Sequence, residues 1–342
     1  MKKEEYIKEM EKLLEDRNTY SILSKDPTNK FEKLTNNLTI KLQNESIISE
    51  EMGKNLRSYN SVAPKLYGLR KTHKKERALR PVVSSIGSPC YKLAKFVHQT
   101  LTKSISNKLV FSIKNSFEFA EIIREIKLPE GYILVSLDVI SLFTNIPKEL
   151  VLKTINEDWK ELAKSIKVPK NILVELIQFC FELSYFQFNG SFYQQMDGSS
   201  MGNPASPVLA NLVINYILRK IEGRLPFPVP FLKVYVDGVV TAIPKDEMDQ
   251  TLKTFNNVNN KIQFTREVEN NRTLPFLDMN IIRNEDGSIV TNWYVKPTSS
   301  GRCISYNSNH PMSQKIGVIK GLLFRALTLN SKKFHMENKK RI

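Results

Sequence analysis

Apolar residues recur at three- and four-residue spacing along the start of the chain. Tyr6, Met10, Leu13 and Leu14 stand at such intervals among Lys and Glu, which predicts an amphipathic helix. Asp26-Pro27-Thr28 interrupts the pattern, and a second helical run extends from 30 to about 42. Residues 1–60 thus read as a helical region. The pattern then changes. Pro64-Lys65-Leu66-Tyr67-Gly68-Leu69 is strand-like and leads into the basic loop Arg70-Lys71-Thr72-His73-Lys74-Lys75; Leu79-Arg80-Pro81-Val82-Val83-Ser84 reads as the return strand. Residues 91–105 read as helical. Tyr132-Ile133-Leu134-Val135-Ser136-Leu137-Asp138-Val139 is almost wholly apolar, as expected of a strand covered on at least one face. A carboxylate in such a run is costly unless it is paired or metal-bound. Ser141-Leu142-Phe143-Thr144-Asn145-Ile146-Pro147 then turns the chain into a helix, with Asn145 expected as its cap and Pro147 in its first turn.

Further on, Phe188-Asn189-Gly190-Ser191-Phe192-Tyr193-Gln194-Gln195 predicts a hairpin. Residues 198–207 form a Gly/Ser/Pro loop that runs into a helix over 208–213. The backbone N–H groups of such a loop and helix start can approach a nucleotide closely, although a small-residue turn without function is the default reading of the loop in isolation. Lys233-Val234-Tyr235-Val236-Asp237-Gly238-Val239-Val240 reads as two apolar strands joined by a tight turn with a carboxylate at its tip. Leu274-Pro275-Phe276-Leu277-Asp278-Met279-Asn280-Ile281 and Ile289-Val290-Thr291-Asn292-Trp293-Tyr294-Val295 predict a hairpin around Glu285-Asp286-Gly287. From about Pro311 the chain is helical, and strongly basic at its end.

Charge narrows the class of partner. The 342 residues carry a formal net charge of +16, with an isoelectric point near 9.5. Such an excess favours a polyanion, nucleic acid first and an anionic membrane surface second, over a small metabolite; a solvated basic surface without a partner is the plain alternative. Cys90, Cys180 and Cys303 are scattered and odd in number, so they suggest reduced thiols rather than a disulfide framework or a zinc site. The four His residues are equally dispersed. The N-terminus has no apolar signal region. The longest apolar stretch, 171–186, is interrupted by Glu175 and Glu182 and is too short to span a bilayer.

Asp138 at a strand end and Asp237 at a hairpin tip are the candidate chemistry. Nucleotidyl transfer uses two divalent ions about 4 Å apart, one activating the primer 3′ hydroxyl and one holding the triphosphate. Mg²⁺ takes oxygen ligands, so two or three carboxylates on rigid strand ends suffice. Either Asp alone says little. Both together, with a basic hairpin before them and the Gly/Pro loop between, form an ordered set. The basic hairpin suits phosphate, because Arg gives bidentate hydrogen bonds and Lys a mobile point charge.

These blocks, taken in order, resemble the reverse transcriptases of Penelope-like elements, retroelements related to telomerase reverse transcriptases. The likeness rests on the 64–69 and 79–84 strands, on 136–147, on Met201-Gly202-Asn203-Pro204-Ala205-Ser206-Pro207, on Tyr235-Val236-Asp237, on 274–278 and on Lys296-Pro297-Thr298. It implies an α+β right-hand fold: an N-terminal helical region over 1–60, fingers over 61–130, a palm with an antiparallel sheet over 131–298, and a thumb-like basic C-terminus over 299–342. It implies RNA-directed DNA synthesis with two Mg²⁺ ions, Mn²⁺ substituting. The metal ligands would be Asp138, Asp237 and the backbone of Val139. Arg80 would contact the incoming dNTP, assisted by Lys71 or Lys74. Phe143 falls at the steric gate against a ribose 2′-hydroxyl, although a core aromatic is the plain reading of that residue outside its motif. Gln195 and the loop through Gly202 and Pro204 would lie beside the nucleotide and template. The implied partners are an RNA template, a DNA primer and dNTPs, with no membrane, in an intracellular, nuclear setting.

The chain also departs from the family. Gly238 stands where members carry a second hairpin Asp. Its presence removes negative charge that helps assemble the ions, weakens catalysis, and relaxes the turn. A catalytically inactive nucleic-acid-binding remnant is therefore the alternative reading. RNA synthesis on an RNA template is a third, which Phe143 opposes. Asn203, Ala205 and Arg70 also differ from the usual residues. Asp278 is expected to be structural. Many members carry a C-terminal GIY-YIG endonuclease; none is legible after Lys296-Pro297-Thr298, and no target nicking by that route is expected of these residues.

Overall fold

Strand-period and helix-period segments alternate along the chain, and the computed structural model, which describes residues 1–70, 79–105 and 109–342, turns them into sheets backed by helices. The first half contains α1 (Lys3–Leu14), β1 (Tyr20–Leu23), α2 (Thr28–Asn44), α3 (Glu50–Leu56), β2 (Lys65–Arg70), β3 (Leu79–Ser84), α4 (Tyr91–Ile105), α5 (Ser116–Arg124), β4 (Tyr132–Val139), α6 (Leu142–Asn145), α7 (Lys148–Leu162) and α8 (Lys170–Glu182). The second half contains β5 (Tyr185–Phe188), β6 (Ser191–Gln195), α9 (Ser206–Glu222), β7 (Leu232–Tyr235), β8 (Gly238–Pro244), α10 (Met248–Asn256), β9 (Phe264–Val268), β10 (Thr273–Phe276), β11 (Met279–Arg283), β12 (Ile289–Trp293), α11 (Met312–Thr328) and α12 (His335–Lys340). No described helix is long and apolar enough to cross a membrane.

Two units emerge, each assembled from two stretches of chain: Met1–Val110 with Ser141–Ile217, and Phe111–Ile140 with Leu218–Ile342. They cut across the four consecutive stretches expected from sequence.

The first unit is built on a five-stranded sheet of order β1-β6-β5-β2-β3. Met10 and Leu14 of α1 are buried against Leu66, Val83, Phe186 and Tyr193, as their spacing predicts. The expectation that residues 1–60 are helical throughout is corrected by β1, which pairs antiparallel with β6 from Tyr20↔Gln195 to Leu23↔Phe192. Tyr20 is buried and Ile22, on the same face of the strand, is exposed, so these four residues lack the period-two pattern that marks a strand; pairing with the edge of β6 supplies the reason to be one. β2 and β3 form the expected hairpin, with Leu69 opposite Arg80.

The second unit holds a four-stranded sheet of order β7-β8-β4-β9 and a three-stranded sheet of order β10-β11-β12. Leu134, Val240 and Ala242 pack with Phe119 and Ile123 of α5 and with Phe276, Met279 and Ile281 in one buried cluster. The Asn115 side chain accepts from Phe117 N and Glu118 N, satisfying two of the free donors at the start of α5. The buried Glu269 carboxylate accepts from Leu134 N at 2.9 Å and from Arg283, tying β4 to the smaller sheet. Two expectations change here. Residues 274–281 form two strands, not one, because the chain turns at Leu277 with φ +54°. Pro147 precedes α7 as its cap residue, with no side-chain cap bond, and Asn145 ends α6.

Candidate functional site: two carboxylates at one end of a sheet, and a glycine loop

β4 lies between β8 and β9, so its backbone is held on both sides. Its side chains are buried from Tyr132 to Leu137, and Asp138 then emerges exposed. The desolvation cost expected for Asp138 from its apolar run is therefore not incurred. β7 and β8 pair from Leu232↔Thr241 to Tyr235↔Gly238, leaving Val236 and Asp237 as a two-residue turn. The Val139 amide donates to the Asp237 carbonyl at 3.0 Å. This bond makes Val139 and Asp237 a hydrogen-bonded position, so the adjacent pair Asp138↔Gly238 is of the non-hydrogen-bonded kind, in which side chains come closest. Asp138 near the end of β4 and Asp237 in the turn leading into the neighbouring β8 thus stand at one end of the sheet, both exposed. On the other side, Thr265 Oγ1 donates to the Asp138 carbonyl at 3.3 Å. Thr265 was not singled out in sequence; only the register of β9 brings it there.

Two carboxylates, one near a strand end and one in the adjoining turn, offer the hard oxygen donors that suit Mg²⁺ or Mn²⁺. Among the described residues no group of three or more His, Cys, Asp or Glu is placed to hold a metal ion. Position 238, the cross-strand partner of Asp138, carries no side chain. A β-carbon built on Gly238 would lie 3.4 Å from Asp138 Oδ1 and 3.4 Å from Phe276 Cε2, so a side chain there would rise beside Asp138. The expectation that Gly238 relaxes the turn is corrected: the left-handed residue is Val236, with φ +58°, and Gly238 is already in β8.

Asp278 turns away from this role. Its Oδ2 accepts from Ser116 Oγ at 3.5 Å, and its carbonyl accepts from Tyr294 N at 3.0 Å, fixing the β10–β11 turn to the start of α5.

The other expected site residues gather in the first unit. Val83 N, on β3, donates to Met201 O at 2.7 Å, Ser85 Oγ donates to Gly202 O at 2.6 Å, and Ser199 N donates to Phe143 O at 2.7 Å. The loop over 198–204 thereby joins the strand that carries Arg80 to the helical turn that carries Phe143. Both attachments depend on glycine. A β-carbon on Gly198 would meet Thr144 O at 2.0 Å, and one on Gly202 would meet Val83 O at 2.0 Å; both residues have positive φ. Arg80 is exposed and Phe143 half-buried. Gln195 is buried, and its Nε2 donates to Asp197 O at 2.9 Å, which holds the loop's entry. Pro204 is half-buried at its exit. Lys71 and Lys74 lie outside the described residues.

Comparison with curated protein sequences gives no match. Residues 302–342, which include α11 and α12, match a family described as an animal helix-turn-helix domain. Among solved structures, the chain resembles telomerase of Candida albicans in complex with a fragment of telomeric RNA, at 11% identity and a TM-score of 0.56, over 90% of this chain and 56% of that one. It resembles apo telomerase of Candida tropicalis at 11% identity and 0.54, over 95% and 63%. A sicinivirus RNA-dependent RNA polymerase matches at 12% identity and 0.54, over 95% and 68%. The chain spans between 55% and 63% of the telomerase chains it matches. At this identity the likeness is one of fold: mixed helices and antiparallel sheets shared with these solved polymerase structures.

Proposed function

We propose that this chain is the RNA-directed DNA polymerase region of a Penelope-like retroelement, acting on an RNA template, a DNA primer and dNTPs. The observation that carries the reading is the meeting of Asp138 and Asp237, 99 positions apart in sequence, at one end of the β7-β8-β4-β9 sheet. In this reading that sheet is the core of a palm, the β2–β3 hairpin belongs to the fingers, and α11 and α12 serve as thumb.

Asp138 and Asp237 would hold the divalent ions, with the Val139 carbonyl as a further oxygen donor. Bound there, the ions supply the activated 3′ hydroxyl and neutralise the departing pyrophosphate. The chain's own work is positioning. Arg80 holds triphosphate oxygens through its planar fork. The glycine loop sets the spacing between the Arg80 strand and Phe143, whose ring excludes a 2′-hydroxyl. Basic side chains along the C-terminal segment grip phosphates. The setting implied is nuclear.

A second reading is favoured by one specific observation, the absence of a third carboxylate at position 238. It keeps the fold and the nucleic-acid grip but not turnover. Extension of a DNA primer on an RNA template with dNTPs and Mg²⁺ separates the two, run on this chain, Gly238→Asp and Asp237→Ala. Extension by this chain, lost in Asp237→Ala, supports the enzyme. Extension by Gly238→Asp alone supports a polymerase fold disabled at one residue. Binding of template–primer by all three with no extension supports the binding remnant.

A further inference from the structure

We propose that Cys90 and Cys180 form a peroxide-sensitive thiol pair, reduced at rest and closed by hydrogen peroxide to a reversible disulfide within one chain. This chemistry asks nothing of the Asp138–Asp237 pair and is independent of the polymerase reading.

The two residues are far apart in sequence and meet only in the fold. Cys90 stands immediately before α4, its carbonyl accepting from Ala94 N at 2.9 Å. Cys180 lies in the last turn of α8. α4 packs against α8, and the Cys180 thiol donates a hydrogen bond to the Cys90 sulfur. Both are free thiols, and both belong to the first unit. Cys303, the third cysteine, is exposed and belongs to the second unit.

Both thiols of the pair are buried, but they are unequally placed. Cys90 is 8% exposed and lines a cavity with Val83 and Ser85 from β3 and the residue that follows it, Leu183 and Ser184 just past α8, and Ser200 and Asn203 of the glycine loop. Hydroxyl and amide groups in such a lining suit a molecule the size of water, which is also the scale of hydrogen peroxide. Cys180 is only 3% exposed, so the peroxide should react at Cys90 first.

The chemistry then runs in two steps. Cys90, as thiolate, attacks one peroxide oxygen; the O–O bond breaks and hydroxide leaves, to be protonated to water. Cys90 is thereby oxidised to a sulfenic acid as the peroxide is reduced. In the second step Cys180 gives up its proton and its sulfur attacks the Cys90 sulfur. The S–O bond breaks, and the hydroxyl group leaves as a second water. Two thiols and one peroxide become one disulfide and two waters. Before oxidation the Cys180 thiol is held well above the ordinary range, first by its hydrogen bond to Cys90, then by burial, then by the charge of Cys90. The bond to a thiolate and the charge both end when Cys90 is oxidised, which frees Cys180 to react.

The disulfide fastens the entry of α4 to the end of α8. It closes a long loop of chain, which removes freedom from the unfolded state and stabilises the folded one.

The test uses the full chain with Cys303→Ser, which removes the exposed thiol. After brief treatment with hydrogen peroxide, ended with catalase, the intact mass should fall by two hydrogens. Both remaining thiols should be lost to maleimide labelling in denaturant, and peptide mapping should recover the link between Cys90 and Cys180. The urea midpoint should rise, and dithiothreitol should reverse every change. These readouts alter neither cysteine of the pair, so they stand even where a further variant fails to fold. Cys180→Ser in the same background should instead leave Cys90 as a sulfenic acid captured by dimedone, while Cys90→Ser leaves Cys180 unmodified at that peroxide dose. Gain of oxygen without a link, a link only between two chains, or both thiols untouched at a dose that oxidises Cys303 in the unaltered chain overturns the proposal.

Discussion

Gly202 and Val83 are in such close contact that a single added carbon cannot fit: a β-carbon at 202 would stand 2.0 Å from the Val83 carbonyl oxygen, and φ at 202 is +113°. The loop reaches β3 only because this residue has no side chain, and Val83 N bonds back to Met201 O. Gly202→Ala should therefore lift the loop from the strand and destabilise the first unit by more than about 2 kcal/mol, from strain and lost backbone bonds together. Urea unfolding measures the first effect. A drop in dNTP affinity with unchanged template–primer affinity measures the displacement of the loop. Unchanged values for both would show that the loop does not depend on this contact.

Asp138 and Asp237 are exposed, so replacing their charge should leave the fold intact. Asp138→Asn and Asp237→Asn are expected to keep the thermal midpoint within about 2 °C, as surface changes do. Each should lower Mg²⁺-dependent extension by about a hundredfold or more, because metal-borne charge stabilisation amounts to several kcal/mol. Equal loss of stability and activity would instead place these residues among the structural ones.

Val236 occupies the left-handed region with φ +58°, a conformation unfavourable to a β-branched residue. It stands immediately before Asp237, in the turn that presents that carboxylate. Its side chain is exposed, so little packing is lost on its removal. Val236→Gly should stabilise the chain by about 1 kcal/mol, strain relieved outweighing the added freedom of the unfolded state. A lower urea midpoint would show that the turn is held by contacts of the Val side chain instead.

Burial raises the phenols of Tyr20 and Tyr185 to about 12, with Asp16 adding to the effect at Tyr20 and Asp26 at Tyr185. Both belong to the first unit, and Tyr185 shares its hydroxyl with Thr28 Oγ1 at 2.8 Å. An unfolded Tyr ionises near 10. The folded chain thus keeps protons that the unfolded chain loses between those values, and stability is complete below about pH 10 and falls as pH rises toward about 12. Urea midpoints at rising pH should show this decline, and Tyr20→Phe/Tyr185→Phe should make it shallower. An identical slope in the double variant would assign the decline to other groups.

Template–primer affinity should fall steeply with salt. Residues 302–342 hold nine Lys and Arg against one Glu, and each phosphate neutralised on a duplex contributes a slope of about −0.9 in log K against log salt. Reversing Lys332 and Lys333 to Glu should reduce that slope by about 2, and an unchanged slope would move the phosphate contacts elsewhere.

Much of the site was legible in the chain itself. The apolar run ending at Asp138, the paired strands around Asp237, and the glycine loop before α9 all follow from local periodicity and turn chemistry, which depend on neighbours a few residues away. The strand nature of Tyr20–Leu23 was not legible, because its partner β6 lies far along the sequence. Neither was the location of the strained turn residue, since hairpin closure, not residue preference, places φ +58° on Val236.

The sequence alone determined which residues are apolar, where strands end in carboxylates, and that position 238 has no side chain. Only the tertiary structure decided that this missing side chain faces Asp138 beside Phe276, that Asp278 turns to Ser116, and that two glycines hold one loop to two backbones. These are matters of register and approach between segments far apart in the chain, and no local pattern encodes them.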